Sequence, residues 1–475
     1  MTIPEGLSVG KPVDPAATLP RPDGPRTRNL LKGILDWVRG HPEDVSVAVL
    51  LASAIYGIVS HIVLPPDPGD EMMRLANNLA KSGVFANPFG VLETGPTAVN
   101  PPLYPFILSV LIKILHDPSL VLTAAIAVCT VANTLSAMLL LRVSVVFYGD
   151  ILPGVVASLL WIPVMPDMPG WDTSLTVMGL LFFVLVTSPL LKGNVRFARA
   201  VLGGVIAGLL LLLNPSSLLI VLPWIAFLLW RAKTPSASTF KPCALVLIVL
   251  ATFAVAWCGR NYYQLGAFAL RTNLGMTLFA SNNDCAKSSL IREELNGCYQ
   301  QSHPNVSLQE ATLLHRLGEA QYDRIRIAAS WQWVRANPEK FWWLTMARVW
   351  QFWFPATEEL PAALGHGDQA VVTPDWMRAW ATHQNHVAYG VWLITALSIP
   401  GLVLVSRRRE PVAAFVVIAL VTYPAMYYIV VSDIRYRYPV LWISLLLAGY
   451  FLSDVAEVWS RNRSHDATTI RNADT

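Results

Sequence analysis

The chain has 475 residues, of which 54% are hydrophobic and only 14% charged, against about 25% charged residues in an ordinary soluble domain. A soluble domain is excluded, and the repeated apolar stretches joined by short polar turns describe one helical membrane unit with soluble excursions. The net charge of +4 is too small to point to nucleic acid.

Residues 1–28 carry six prolines and little apolar surface, the composition of a disordered tail. Residues 1–41 lack the basic region, apolar run and cleavage site of a signal peptide, so the first hydrophobic segment is expected to remain as an anchor. From Asn29 to Arg39, Leu30, Leu31, Ile34, Leu35 and Val38 recur at helical spacing beside Lys32 and Arg39, which predicts a helix on the membrane surface. Apolar spans then follow at about 45–64, 119–141, 151–166, 173–190, 200–213, 216–230, 243–259, 388–406, 411–431 and 438–455. The expected fold is therefore an all-α integral membrane protein, with roughly ten transmembrane helices across residues 29–455. Residues 456–475 are expected to form a second tail.

The basic residues alternate cleanly between the connections. With the N-terminus inside, the inner side receives Arg142, then Lys192, Arg196 and Arg199, then Arg231, Lys233 and Lys241, then Arg407 to Arg409, and finally Arg461 and Arg463. Both termini are then cytoplasmic, and two large outer loops, 65–118 and 260–387, are where function is expected. One short outer turn breaks the pattern, because Ser432 to Tyr438 carries Arg435 and Arg437 on the disfavoured side.

The first outer loop opens with Asp67, Asp70 and Glu71. An amphipathic helix follows, with Met72, Ala76, Leu79, Ala80 and Gly83 on one face and Glu71, Arg74, Asn78 and Lys81 on the other. Asp70 reads either as the cap of that helix or as a general base, and Asp172 either as the cap of a helix from Thr173 or as a second acid on the same face. After Asn100-Pro-Pro-Leu-Tyr-Pro, the stretch from Phe106 to Leu115 is too short to span and predicts a second surface helix. Arg260, Arg435 and Arg437 emerge on the same outer face. The planar guanidinium fork suits phosphate oxygens, while the alternative is a snorkelling anchor among tyrosines.

Six tryptophans between Trp331 and Trp353 predict an interfacial aromatic belt. Asn305-Val-Ser matches a glycosylation sequon. The five cysteines offer no metal-ligand spacing. Cys285 and Cys298 share one polar loop and read either as a disulfide or as two lone thiols.

In order and membrane side, Asp70-Glu71, Asn100-Pro-Pro-Leu-Tyr-Pro, Asn214-Pro215, Trp257-Cys-Gly-Arg-Asn-Tyr and Arg435-Tyr-Arg-Tyr-Pro form a set. On these the chain resembles, over most of residues 45–455, the GT-C class of membrane glycosyltransferases that use polyprenyl-phosphate sugars. Bacterial relatives of protein O-mannosyltransferases and lipid A aminoarabinose transferases belong to this class. The resemblance implies a catalytic base at Asp70, supporting acids at Glu71 and Asp172, and donor-phosphate contacts at Arg260, Arg435 and Arg437. It implies no cofactor and no metal, a lipid-linked sugar as donor, and an acceptor hydroxyl on a protein, lipid or polysaccharide outside a bacterial inner membrane. Asn100 departs from the basic residue of aminoarabinose transferases, and Ala256 stands where a proline is usual. A transporter or flippase of a lipid-linked sugar is the competing expectation, although it calls for internal repeats and mid-membrane ionisable residues that the sequence does not show.

Overall fold

A computed structural model of the chain describes residues 25–63, 70–166, 168–192, 197–231, 237–357, 363–364, 371–372 and 375–473. Most of the expected N-terminal tail, with Asp67, Arg196 and Lys233, lies outside them, and Asp70 is described by its backbone only. The chain opens with α1 (Pro25–Gly40) and α2 (Pro42–Val63), and the first outer loop contributes α3 (Asp70–Ser82) and α4 (Leu103–Leu115). A run of apolar helices follows: α5 (Pro118–Tyr148), α6 (Leu152–Trp161), α7 (Thr173–Thr187), α8 (Phe197–Leu213), α9 (Leu218–Arg231) and α10 (Ala237–Leu265). The large outer loop holds α11 (Leu274–Ser281), α12 (Leu290–Leu295), α13 (Cys298–Ser302), α14 (Leu308–Leu317), α15 (Glu319–Ala336) and α16 (Pro338–Trp353), with a small antiparallel pair, β1 (Ala363–Leu364) and β2 (Val371–Val372). The chain closes with α17 (Asp375–Arg407), α18 (Ala413–Ala425) and α19 (Tyr438–Ala473).

Among the described residues, six helical stretches are long and apolar enough to cross a membrane: Pro42–Ile62, Pro118–Tyr148, Thr173–Leu190, Phe240–Leu265, Ala381–Arg407 and Ile434–Arg461. The other four expected spans coincide with shorter apolar helices, Leu152–Val164, Phe197–Leu213, Pro215–Arg231 and Ala413–Ala425. At 1.5 Å per residue these reach about 20–25 Å, short of a bilayer core of about 30 Å. Pro424 stands in the last turn of α18, where a missing amide donor interrupts the ladder, while α9 continues through Pro223.

The α19 helix is the axis of the bundle, packed against α6 and α17. Its approach is close enough to require glycine: a Cβ at Gly449 would meet the Pro153 carbonyl, and one at Gly401 on α17 would meet the Leu447 carbonyl. An aromatic cluster of Phe147, Trp224, Phe415 and Trp442 fills the interior. At one end, Arg39 of α1 pairs with both Asp150 and Glu457. The helix α19 therefore carries on through Glu457 to Ala473, where a separate tail was expected to begin at residue 456. At the other end, Trp342, Trp343 and Trp350 of α16 are exposed, the disposition of an interfacial belt.

Candidate functional site

The first outer loop folds back on itself because α3 is amphipathic. Met72, Leu75 and Ala76 are buried, and α3 packs on α4 through Met72, Ala76, Tyr104 and Leu108. That docking leaves the opposite face polar and sets the first turn, with Asp70 and Glu71, at the outer end of the bundle. Acidic residues suit that position because unpaired amides and the helix dipole favour negative charge there. Asn100 Nδ2 donates to Glu71 Oε2 at 3.2 Å, so the Asn100-Pro-Pro motif meets Glu71 directly.

The segment before Asn100 is held by three groups from the large loop and the end of α10. Arg260 donates to the carbonyls of Thr97 at 2.6 Å and Phe85 at 3.1 Å. Arg271 donates through Nε to the Val99 carbonyl at 2.8 Å. Buried Glu319 accepts from the Ala98 amide at 2.9 Å and the Thr272 hydroxyl at 2.5 Å. Burial raises the Glu319 carboxyl above its ordinary value, opposed by these hydrogen bonds and the nearby Arg260 charge. Four consecutive residues, Thr97 to Asn100, are thus fixed by partners more than a hundred residues away or by Glu71.

Across from this segment lies Trp171-Asp172. Asp172 is buried, accepts from the Thr176 hydroxyl at 2.9 Å and from the Asn214 side chain, and lies in the field of Arg271. Burial pushes its carboxyl upward, and those two hydrogen bonds and the arginine only partly offset it. Asn214 accepts from Ser216, whose hydroxyl accepts from Tyr427 at 2.9 Å, and Tyr427 stacks on Tyr436 at 4.5 Å. The Arg435 guanidinium lies 3.9 Å over the Trp171 ring and pairs with Asp433 at 3.0 Å. Glu71 acts electrostatically on Arg271, Arg435, Tyr299 and His303. Four of the five sequence motifs thus meet around one acidic and cationic cluster.

His303 joins that cluster from the large loop. Its Nδ1 accepts from the Asn305 amide at 3.2 Å, so the neutral ring carries its proton on Nε2. Burial depresses its pKa, and Arg435 adds to the depression while Glu71 opposes it. The Asn305 side chain accepts from the Gly90 amide at 3.2 Å; the residue of the sequon is engaged in tying the two outer loops together.

Arg260 and Arg437 are placed differently from Arg435. Arg260 directs its terminal nitrogens to backbone carbonyls and stacks near Phe85 and Trp257. Arg437 is fully buried, donates to Ser444 Oγ at 2.7 Å and sits 4.5 Å from the Trp353 ring, and among the described residues its Nε and Nη1 have no hydrogen-bond partner. Arg271, His303 and Tyr299 were not anticipated. None of the three belongs to a motif that the sequence marks as catalytic or phosphate-binding, and only the fold brings each to Glu71.

A disulfide joins Cys285 and Cys298, with Cα atoms 5.5 Å apart. The stretch beginning at Ser281 docks on the residues just before Arg435: Ser432 exchanges backbone bonds with Ser288 and Leu290, the Val431 amide donates to Ser281 Oγ, and Asn282 donates to the Ile429 carbonyl. Buried Arg348 donates to both Asn282 and the Ile429 carbonyl, across the same junction. Among the described residues, to which Asp67 and the Asp70 side chain do not belong, no group of three or more His, Cys, Asp or Glu side chains is placed to hold a metal ion.

No known family model matches the chain, and no curated protein matches it in sequence. In structure it is similar to the oligosaccharyltransferase of Archaeoglobus fulgidus. AglB in complex with an inhibitory peptide and a dolichol-phosphate aligns with a TM-score of 0.50 at 12% identity, over 90% of this chain and 52% of that one. The same organism's enzyme in complex with Zn and sulfate gives 0.51 at 13%, over 90% and 51%. The apo form gives 0.50 at 15%, over 90% and 52%. The chain spans about half the length of these proteins, and at such identities the likeness carries the fold alone, an all-α membrane fold shared with these oligosaccharyltransferases.

Proposed function

We propose that the chain is a membrane glycosyltransferase that moves a sugar from a polyprenyl-phosphate donor to an acceptor hydroxyl on the outer face of a bacterial inner membrane. The observation that carries this reading is the meeting of Glu71, Asn100, Asp172, Arg271 and Arg435 at one end of a bundle with an oligosaccharyltransferase fold. In the proposed single displacement, Asp70 takes the proton of the acceptor hydroxyl. That oxygen forms the new bond to the anomeric carbon as the bond to the phosphate oxygen breaks, and the configuration inverts. The leaving phosphate keeps the electron pair and faces Arg435 and, deeper, Arg437. Arg260 serves the same site by fixing the loop that carries Asn100, and Glu71 and Asp172 support the base. A lipid-carried donor suits a site that opens beside apolar helices, and AglB was captured with such a lipid. The direct test is transfer of radiolabelled sugar from a polyprenyl-phosphate donor to an envelope fraction by the purified chain. Movement of donor between leaflets without transfer would favour a flippase instead.

Orientation rests on the Lys and Arg alternation and on the Cys285–Cys298 bond, since disulfides persist in oxidising compartments. Reporter fusions after Lys192 and Arg409 are expected to report cytoplasm, and fusions between Ser281 and Ser307 the outer compartment. A cytoplasmic signal from the Ser281 to Ser307 loop would reverse every site assignment above.

A further inference from the structure

Arg348 on α16 takes no part in the proposed displacement, yet it is fully buried and shares its guanidinium among four acceptors. Nη1 donates to Asn282 Oδ1 at 3.1 Å and to the Ile429 carbonyl at 3.3 Å, and Nη2 donates to the carbonyls of Ser281 and, at 3.5 Å, Lys287. Ser281 ends α11, while Lys287 and Ile429 stand in irregular chain, and among the described residues none of these three carbonyls accepts from a backbone amide. Buried backbone acceptors of that kind need a donor, and a planar fork serves several at once where a lysine cannot. Arg348 lies in the field of Glu293, buried on α12, which compensates its charge.

The acceptors belong to two segments that run side by side. One is 281–290, tied from Cys285 to Cys298 by the disulfide; the other is 429–433, the approach to Arg435. Ser432 forms a parallel bridge with Ser289: its amide donates to the Ser288 carbonyl at 2.9 Å, and its carbonyl accepts from the Leu290 amide at 3.0 Å. The Val431 amide donates to Ser281 Oγ at 2.8 Å. Asp433 follows directly, and its carboxylate accepts from the Arg435 amide at 2.9 Å and pairs with the Arg435 side chain at 3.0 Å. Displacing the backbone of 429–432 therefore moves Asp433, and with it the guanidinium that lies over Trp171. We propose that Arg348 is a positioning residue for the donor phosphate, acting through the 429–433 segment on Arg435. The proposal rests on the glycosyltransferase reading for the identity of the ligand. Arg348 itself does not meet the phosphate, since both of its terminal nitrogens face protein acceptors in a closed interior.

The test is the affinity of the full chain in nanodiscs for a polyprenyl monophosphate, measured beside sugar transfer. Arg348→Gln is expected to weaken binding of this probe by about 2- to 30-fold, the range over which a residue that touches neither ligand shifts a coupled site. Arg348→Lys keeps the charge without the fork and should fall between wild type and Arg348→Gln. Ser281→Ala removes the acceptor of the Val431 amide, leaves the Arg348 bonds in place, and should weaken the probe by less. Neither Arg348→Gln nor Ser281→Ala should add to Arg435→Ala, because the residue they act through is already gone, whereas a residue that meets the phosphate on its own account adds its full loss. Formation of the Cys285–Cys298 bond in each variant shows that the outer loop has folded. If Arg348→Gln fails that check, Arg348→Lys and Ser281→Ala decide by the same criteria. Wild-type affinity in the folded variants overturns the proposal, and so does full additivity with Arg435→Ala. Probe binding that depends on Arg348 through Arg435, in a chain that transfers no sugar, would sink only the glycosyltransferase reading. Sugar transfer with probe affinity indifferent to Arg348 would sink only this one.

Discussion

Asp70→Asn is expected to abolish sugar transfer, a loss of about 10² to 10⁴ in rate for a positioned general base, while membrane insertion and donor binding stay near wild type. Asparagine has almost the same shape and still caps a helix start, so a purely structural Asp70 predicts little change. An amide cannot accept the acceptor's proton, so the catalytic role predicts near-total loss. The backbone placement favours the test, because Asp70 opens α3 next to Glu71, which Asn100 holds at 3.2 Å. Asp67→Asn is the control from the same stretch. Transfer measured with donor in excess and at matched protein in the membrane decides between the readings. Wild-type turnover by Asp70→Asn would move the role to Glu71 or Asp172, each testable by Glu71→Gln and Asp172→Asn.

What was legible in the sequence was whatever repeats locally. The apolar and polar faces of residues 71–83 gave α3 its docked side and its polar side, because a 3.6-residue period needs no knowledge of the rest of the chain. The positions of the ten expected apolar spans were readable because a continuous apolar run is equally local, but not which of them are long enough to span. Length depends on where a ladder ends, and α18 ends just after Pro424 inside what reads as an apolar run, whereas α9 continues through Pro223. Arg435 stood out because an arginine on the disfavoured side breaks the charge pattern, whereas Asp172 read only as a helix cap or a second acid on the same face. Arg271 breaks no pattern: it stands in a loop where arginine is ordinary, and its bond to Val99 spans 172 residues. Nothing local marks such a contact. Arg260 shows the converse, since its position suited a phosphate ligand while its donors face Thr97 and Phe85.

Arg435→Ala is expected to lower kcat/KM for the polyprenyl-phosphate donor by about 10- to 100-fold, the range of losing one charge-assisted hydrogen bond worth about 1.5–3 kcal/mol. The geometry gives the reason for ranking it above its neighbours. Arg435 sits 3.9 Å over the Trp171 ring and is held by Asp433, so its guanidinium is positioned before any donor arrives, and little rotamer freedom remains to be lost on binding. Arg435→Lys keeps the charge but loses both the fork and the stacking, and an intermediate loss is expected. Trp171→Leu should act through Arg435 alone, weakening the donor in the wild-type background but adding nothing to Arg435→Ala; such non-additivity is the signature of two residues working as one unit. Arg260→Ala is expected to differ in kind, disturbing the Thr97 to Asn100 segment and lowering turnover for every donor and acceptor alike. Equal donor kinetics in wild type and Arg435→Ala would leave Arg435 an interfacial anchor, and the phosphate would have to be met by Arg437 or Arg271.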